Sequence, residues 1–196
     1  APTPPLERAV VVPVRIPAAA AVALPEGPIL VMADRSGLAG AIVTRLAAAG
    51  CSARVISDAA EAAAETAVGG LILVAPDEQQ WTAESEATLK SALRLARALG
   101  PALRRAERRS SFVAAISRRD GAFGLAAKTP SWNPLSGGLA GLAKTLRHEW
   151  PEVRCRAIDI GASWAPDGAG RAIVEELATD GPVETGLGPS GRVTLA

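Results

Sequence analysis

The stretch GPILVMADRSGLAG, Gly27 to Gly40, decides the reading of the chain. Four apolar residues, Ile29 to Met32, form a short strand. A tight turn follows, and Gly37 opens a helix running to about Ala49, with Leu38, Ile42 and Leu46 on one face and Gly50 as its stop. A strand, turn and helix in this order is where an α/β fold places a phosphate loop, because backbone amides at a helix N-terminus attract anions.

Working outward, strand and helix signals alternate. Arg8 to Ile16 is β-branched, but Pro13 confines it to a sheet edge or a bulge. Ala1 to Pro5 is a tail, and Ala18 to Pro28 a linker. Arg54 to Ser57 reads as a strand, and Asp58 caps a helix reaching about Ala67. Gly70 to Ala75 (GLILVA) is a continuous apolar run, as in a parallel strand buried on both faces. A long helix spans about Ala83 to Glu107, with Leu89, Leu93, Ala96, Leu99 and Leu103 on one stripe. Ser111 to Ser117 is a strand, and Arg118 to Leu135 a long loop of the kind that often carries function. Ser136 caps a helix ending before Pro151. Val153 to Ile160 is a strand, Gly168 to Ala178 a helix, and Val183 to Gly186 and Arg192 to Leu195 are short final strands. Such alternation gives a doubly wound, mainly parallel sheet with helices on both faces, a Rossmann-like layout. Residues 1–27 then form tail, edge strand and linker, and residues 28–196 one Rossmann-like unit.

Composition narrows the function. A net charge of +1 gives no strong pull on nucleic acid or an anionic membrane surface. The apolar run Ala18 to Ala23 is too short to span a bilayer. Cys51 and Cys155 read as reduced core thiols of a cytoplasmic protein, and a single histidine, His148, builds no zinc site. No metal site is expected. The start without Met and the finish on a strand suggest a piece of a longer polypeptide.

Several separated phrases carry a resemblance. Ser136 to Ile160 (SGGLAGLAKTLRHEWPEVRCRAIDI) resembles the matching helix–strand unit of short-chain dehydrogenase/reductase folds. Asp120 to Leu125 (DGAFGL), the phrase GGLAGLAKT and the opening PILVMADRSGLAGAI resemble the ketoreductase region of iterative polyketide synthases and polyunsaturated fatty-acid synthases. The similarity covers most of residues 8–196. Such ketoreductases have two halves. One is a structural subdomain with a degenerate nucleotide site; the other binds NADPH and reduces a β-ketoacyl chain held on an acyl carrier protein. The chain resembles the first half. The resemblance implies a non-catalytic support whose partner is the catalytic ketoreductase subdomain of the same polypeptide, with the acyl carrier protein as a further partner.

The residues argue the same way. Short-chain reductases have a G-x-x-x-G-x-G turn; the matching positions here are Ala33, Gly37 and Ala39, so only the middle glycine remains. A Cβ at either replaced position crowds a diphosphate, and Asp34 adds negative charge beside it. Asp58 stands where an acid could hold a ribose hydroxyl, but the helix cap is the better reading. The chain contains no tyrosine. Alignment on Gly141 to Lys144 places Trp132 at the family's tyrosine and Ser136 at its lysine, and an indole N–H cannot shuttle a proton. Ser117 matches the family's serine and alone can only donate a hydrogen bond; Lys128 is a solvated loop residue that could in principle replace the missing lysine. No catalytic, cofactor-binding or metal-binding residue is therefore assigned, and no cofactor is expected on this chain. Trp132 and Trp150 clamp the Ser136 helix, and Gly137, Gly138 and Gly141 let it pack closely. Arg104, Arg105, Arg108 and Arg109 complement the dipole of the long helix, with carrier-protein docking as a second role. Two other readings remain open: a self-sufficient oxidoreductase with unorthodox residues, and a dimerisation or carrier-docking module.

Overall fold

A computed structural model describes residues 9–105, 111–126, 133–189 and 191–196. Strands β1 (Pro13–Arg15), β2 (Ile29–Met32), β3 (Ala53–Ile56), β4 (Gly70–Val74), β5 (Phe112–Arg119), β6 (Arg154–Gly161), β7 (Glu184–Gly188) and β8 (Gly191–Leu195) form one sheet in the order β1-β8-β7-β6-β5-β4-β2-β3. From β3 to β7 every neighbouring pair is parallel. Strand β8 pairs antiparallel with both β7 and the edge strand β1. Helices α1 (Leu38–Ala48), α2 (Ala59–Ala63), α3 (Ala83–Arg104), α4 (Gly138–Glu149) and α5 (Pro166–Leu177) fill the crossovers.

Successive strand residues face opposite layers, so each apolar strand serves two cores. Leu30 and Met32 of β2 and Leu71 and Leu73 of β4 pack with Leu95, Leu99 and Leu103 of α3 and Leu139 and Leu146 of α4. Ile29 and Val31, with Ile72 and Val74, face Leu38, Ile42 and Leu46 of α1 and Ile173 and Leu177 of α5. Helices α1 and α5 approach closely at Gly170, where a Cβ would stand 3.0 Å from the Ala41 carbonyl carbon. The doubly wound, mainly parallel layout expected from the sequence is the observed one.

Several boundaries differ from expectation. Pro13 does sit in an edge strand, but that strand shrinks to three residues; Arg8 lies outside the described residues. Helix α2 stops at Ala63 rather than near Ala67. The buried stripe of α3 runs through Ala92, Leu95, Ala96, Leu99 and Leu103, and Leu93 is 56% exposed. One helical step of about 100° takes Leu93 off the face that Ala92 and Ala96 share. Strand β5 continues to Arg119, held by pairing with β6 as far as Gly161. Ser136 does not cap the following helix. Asn133 caps a 3-10 turn, Pro134–Gly137, its side chain accepting from the Leu135 amide at 3.0 Å. Ser136 lies inside that turn and donates to the Asn133 carbonyl at 2.7 Å. Pro134, with its fixed φ and no N–H, suits the first position of that turn and moves the start upstream.

Candidate functional site at the strand-order reversal

The chain leaves β2 to one side for β3 and returns to the other for β4, so the strand order reverses between β2 and β4. In open α/β sheets ligands bind outside the C-terminal strand ends at such a point. A cavity of about 390 Å3 lies there. Its walls come from Met32 to Arg35 after β2, Ser57 after β3, Val74 to Glu78 after β4, and the first turns of α3.

The turn from β2 into α1 is built around one carboxylate. Asp34 Oδ2 accepts the amides of Ser36 at 2.9 Å and Leu38 at 3.2 Å, and Asp34 Oδ1 accepts the amide of Ala39 at 2.8 Å. The Ser36 hydroxyl also donates to Oδ2. Gly37, at φ 81°, is the α1 N-cap in the left-handed region that only glycine enters freely. The amides of Leu38 and Ala39, which would face a phosphate, thus have an internal anion. Ala39 is 2% exposed, so its methyl is core. Arg35, on the rim, forms a bidentate pair with Glu84 of α3. Hydrogen bonding from that guanidinium, more than its charge alone, lowers the Glu84 pKa.

Asp58 is the N-cap of α2 and accepts the Ala60 amide at 2.9 Å. That bears out the cap reading; the neighbouring Ser57, not Asp58, lines the cavity.

Ser117, near the C-terminal end of β5, donates to Asp159 Oδ1 of β6 at 2.6 Å. Asp159 is fully buried and also accepts the amides of Arg119 at 3.1 Å and Phe123 at 2.9 Å. Burial raises its pKa, while these hydrogen bonds pull the other way. Phe123 holds φ 60°, unusual for a bulky residue, inside a turn gripped by two acids. Asp120 is the second acid and accepts the amides of Ala122, Gly124 and Ala126. Arg119 closes the arrangement by donating to the Phe123 carbonyl and to Ser136 Oγ. Ser117 and Ser136 therefore belong to one hydrogen-bond network that runs through Asp159, Phe123 and Arg119.

Trp132, Lys128, Arg108 and Arg109 lie outside the described residues. Trp150 packs across α3, its ring 3.0 Å from where a Cβ on Gly100 would stand. A Cβ on Gly137 or Gly138 would be crowded by Arg119 or Leu89, whereas one on Gly141 would meet nothing within 4 Å among the described residues, so close packing is not the use of that glycine. Arg104 pairs with Glu152, and Arg105 donates to the Pro101 carbonyl at 2.9 Å at the end of α3. Both cysteines are free; burial pushes the Cys155 thiol up to about 11. Among the described residues no His, Cys, Asp and Glu group could hold a metal ion, and no helix is long and apolar enough to cross a membrane.

A second buried network is not evident from the sequence. Arg156 of β6 is 1% exposed and pairs with Glu176 of α5. Glu176 also receives Arg192 Nε and Nη2, each at 2.8 Å, and Arg192 Nη1 donates to the Pro17 carbonyl at 2.9 Å. This chain of charges ties β6, α5, β8 and the N-terminal segment together. The signal was present in RCRAIDIG, where Arg156 and Asp159 interrupt a strand that must be buried on both faces; a charge there needs a partner.

No protein-family model and no curated protein matches the chain. Solved structures do. An A-type ketoreductase from a modular polyketide synthase is 21% identical, with a TM-score of 0.67 over 95% of this chain and 42% of that one. A structure with adenylation, ketoreductase and pseudo Asub domains, from a keto acid-selecting NRPS module, gives 0.69 at 16% identity, over 95% of this chain and 18% of that one. A short-chain dehydrogenase/reductase-family oxidoreductase from Burkholderia thailandensis gives 0.59 at 18% identity, over 83% and 92%. The chain spans about two fifths of the length of the modular-synthase ketoreductase it matches. At these identities the likeness is one of fold. The fold of this chain is that of ketoreductase domains from polyketide synthase modules and of short-chain dehydrogenase/reductase-family oxidoreductases.

Proposed function

We propose that the chain is a non-catalytic structural subdomain that supports the NADPH-dependent β-ketoacyl reductase half of a polyketide or fatty-acid megasynthase. The observation that carries this reading is the Asp34 carboxylate on the amides of Leu38 and Ala39, the place a diphosphate would need. A bound diphosphate would have to displace that carboxylate and then sit beside it, at a Coulomb cost that rises in a partly desolvated crevice. The absence of tyrosine from all 196 residues supports the same conclusion, since the family's proton donor has no counterpart.

The supporting role is physical. The β1 edge carries Val10, Val11, Val12 and Val14, which are 73%, 56%, 47% and 42% exposed. Apolar surface gathered on one segment is suited to being covered by another domain. The catalytic ketoreductase subdomain of the same polypeptide is the partner we assign to it, and NADPH belongs to that subdomain. The acyl carrier protein is a partner of the assembly, and the compartment is the cytoplasm. Isothermal titration of the folded chain with NADPH tests the reading. No heat of binding is expected, and micromolar affinity would sink it.

A further inference from the structure

Helices α3 and α4 cover the same face of the sheet, and the groove between them is only partly filled. A cavity of about 730 Å3 lies there, its floor made by Leu93, Ala96 and Gly100 of α3, Leu146 of α4 and the half-buried Trp150. Leu93 is 56% exposed, an apolar residue that the core does not use. It belongs to a line of its own. Leu89, Leu93, Ala96 and Gly100 follow one another at steps of four, three and four, the spacing of a seam that packs on another helix. Lys90, Arg97 and Arg104 stand beside that line, each seven residues from the next. Lys90 is paired with Glu86 and Arg104 with Glu152. Arg94 and Arg97 are exposed, and among the described residues neither makes a hydrogen bond or an ion pair. Arg94 follows Lys90 by four residues and precedes Arg97 by three, and like charges on neighbouring turns weaken a helix. The helix dipole accounts for cations only in the last turn, where Arg104 stands. Neither the stability of α3 nor its dipole therefore explains Arg94 and Arg97, whereas an anionic partner does. Among the described residues on the rim, Glu149 is the one carboxylate outside an ion pair. A second copy of the chain would bring its own Arg94 and Arg97 to this face with only Glu149 to meet them, a juxtaposition that like charges oppose.

We infer that the α3–α4 groove holds one amphipathic α-helix of a partner protein, its apolar seam on Leu93, Gly100 and Trp150 and its acidic residues, at the same seven-residue period, against Arg97 and the cations on either side of it. An amphipathic helix laid in an apolar groove gains from burial of its seam, and flanking charges select the partner and its register. The pairs that Lys90 and Arg104 already make are solvent-exposed and worth little, so their cations can be shared with the incoming acids. This face is separate from the β1 edge, and the inference does not rest on the supporting role.

The test is a titration of the 15N-labelled chain followed by amide shifts. The probe is a synthetic peptide of about three heptads with Leu at the seam positions and Glu beside them, and the control carries Lys in place of each Glu. The Glu peptide should give saturable shifts at residues 89–105 and 146–152 that weaken as salt is raised, and the Lys peptide none. The Arg94→Glu/Arg97→Glu variant should bind the Glu peptide about tenfold or more weakly and gain affinity for the Lys peptide. Leu93→Gln should weaken binding of the Glu peptide while thermal unfolding stays cooperative, since its side chain lies outside the core. No saturable shift, equal binding of the two peptides, or an unchanged preference in the charge-reversed variant would overturn the inference. Self-association of the chain through residues 89–105 before any peptide is added would give the face to a second copy and overturn it as well. NADPH binding, which decides the proposed function, plays no part in these outcomes.

Discussion

Asp34 Oδ1 lies 2.8 Å from the amide nitrogen of Ala39, so a residue in the turn before α1 caps that helix from outside its first turn. With the Leu38 and Ser36 amides also on this carboxylate, one side chain satisfies three backbone donors that would otherwise need water or a ligand. Asp34→Ala should therefore destabilise the chain by about 1–2 kcal/mol, the upper part of the range for a lost cap. Asp34→Asn, which keeps one acceptor oxygen, should lose less. Urea midpoints at constant slope measure both, and an unchanged midpoint for Asp34→Ala would refute the clasp.

Two glycines in helices should respond in opposite directions. At Gly170 a Cβ would meet the Ala41 backbone at 3.0 Å and its methyl at 3.2 Å. Gly170→Val should cost about 1–3 kcal/mol through overpacking between α1 and α5. Gly141 lies near the start of α4 and a Cβ there would meet nothing within 4 Å among the described residues, so Gly141→Ala should stabilise by about 0.5–1 kcal/mol. Thermal unfolding of the two variants beside the parent chain reads both signs at once.

The pH dependence follows from Asp159. Burial raises its folded pKa above the ordinary 3.8. A raised carboxyl pKa means that ionisation opposes folding, so its contribution is most favourable below the unfolded value and is lost as pH rises through the folded value. The stability of the parent chain relative to Asp159→Asn should be greatest in acid and decline as pH increases from there. Denaturant unfolding of both proteins across a pH series checks this, and a difference that grows with pH would contradict it.

Glu176 is the shared anion of Arg156 and Arg192. Removing it by Glu176→Ala leaves Arg156, 1% exposed, without its paired carboxylate, a change that costs about 3–5 kcal/mol in comparable buried pairs. Arg192→Ala, by contrast, leaves the Arg156–Glu176 pair intact and should cost clearly less. Circular dichroism melts rank the two, and equal losses would show that the pair does not act as the centre of the network.

Much of this fold is readable from the chain because its strands are monotonous. GLILVA has the continuous apolar run expected of a strand buried on both faces, and the spacing of Leu38, Ile42 and Leu46 gives one face of α1 directly. The turn chemistry is less accessible. Asp34 stands out in the sequence as a misplaced negative charge, yet nothing there says that its carboxylate turns back onto the helix that follows. Pro134 beside Asn133 carried the information that the 3-10 turn begins before Ser136, but serine is itself a good cap and competes for the role. The Arg156–Glu176–Arg192 network was opaque for another reason. Its members are far apart in sequence and meet only through a parallel crossover and the closing hairpin, so each looks like an ordinary charge until the sheet order is known.

The pairing of β1 with β8 brings Val12 and Ala196 into reciprocal hydrogen bonding, at 3.0 and 3.1 Å. A polypeptide entering at residue 12 and leaving at residue 196 would do so at nearly the same point. Tension applied between those positions would load the β1–β8 ladder from one end and open its bonds in succession, as a zipper, rather than shearing them together. Mechanically, the edge strand is a release tab: β1 is held in the sheet by β8 alone, whereas β8 is also anchored to β7, so β1 would be the first strand to detach.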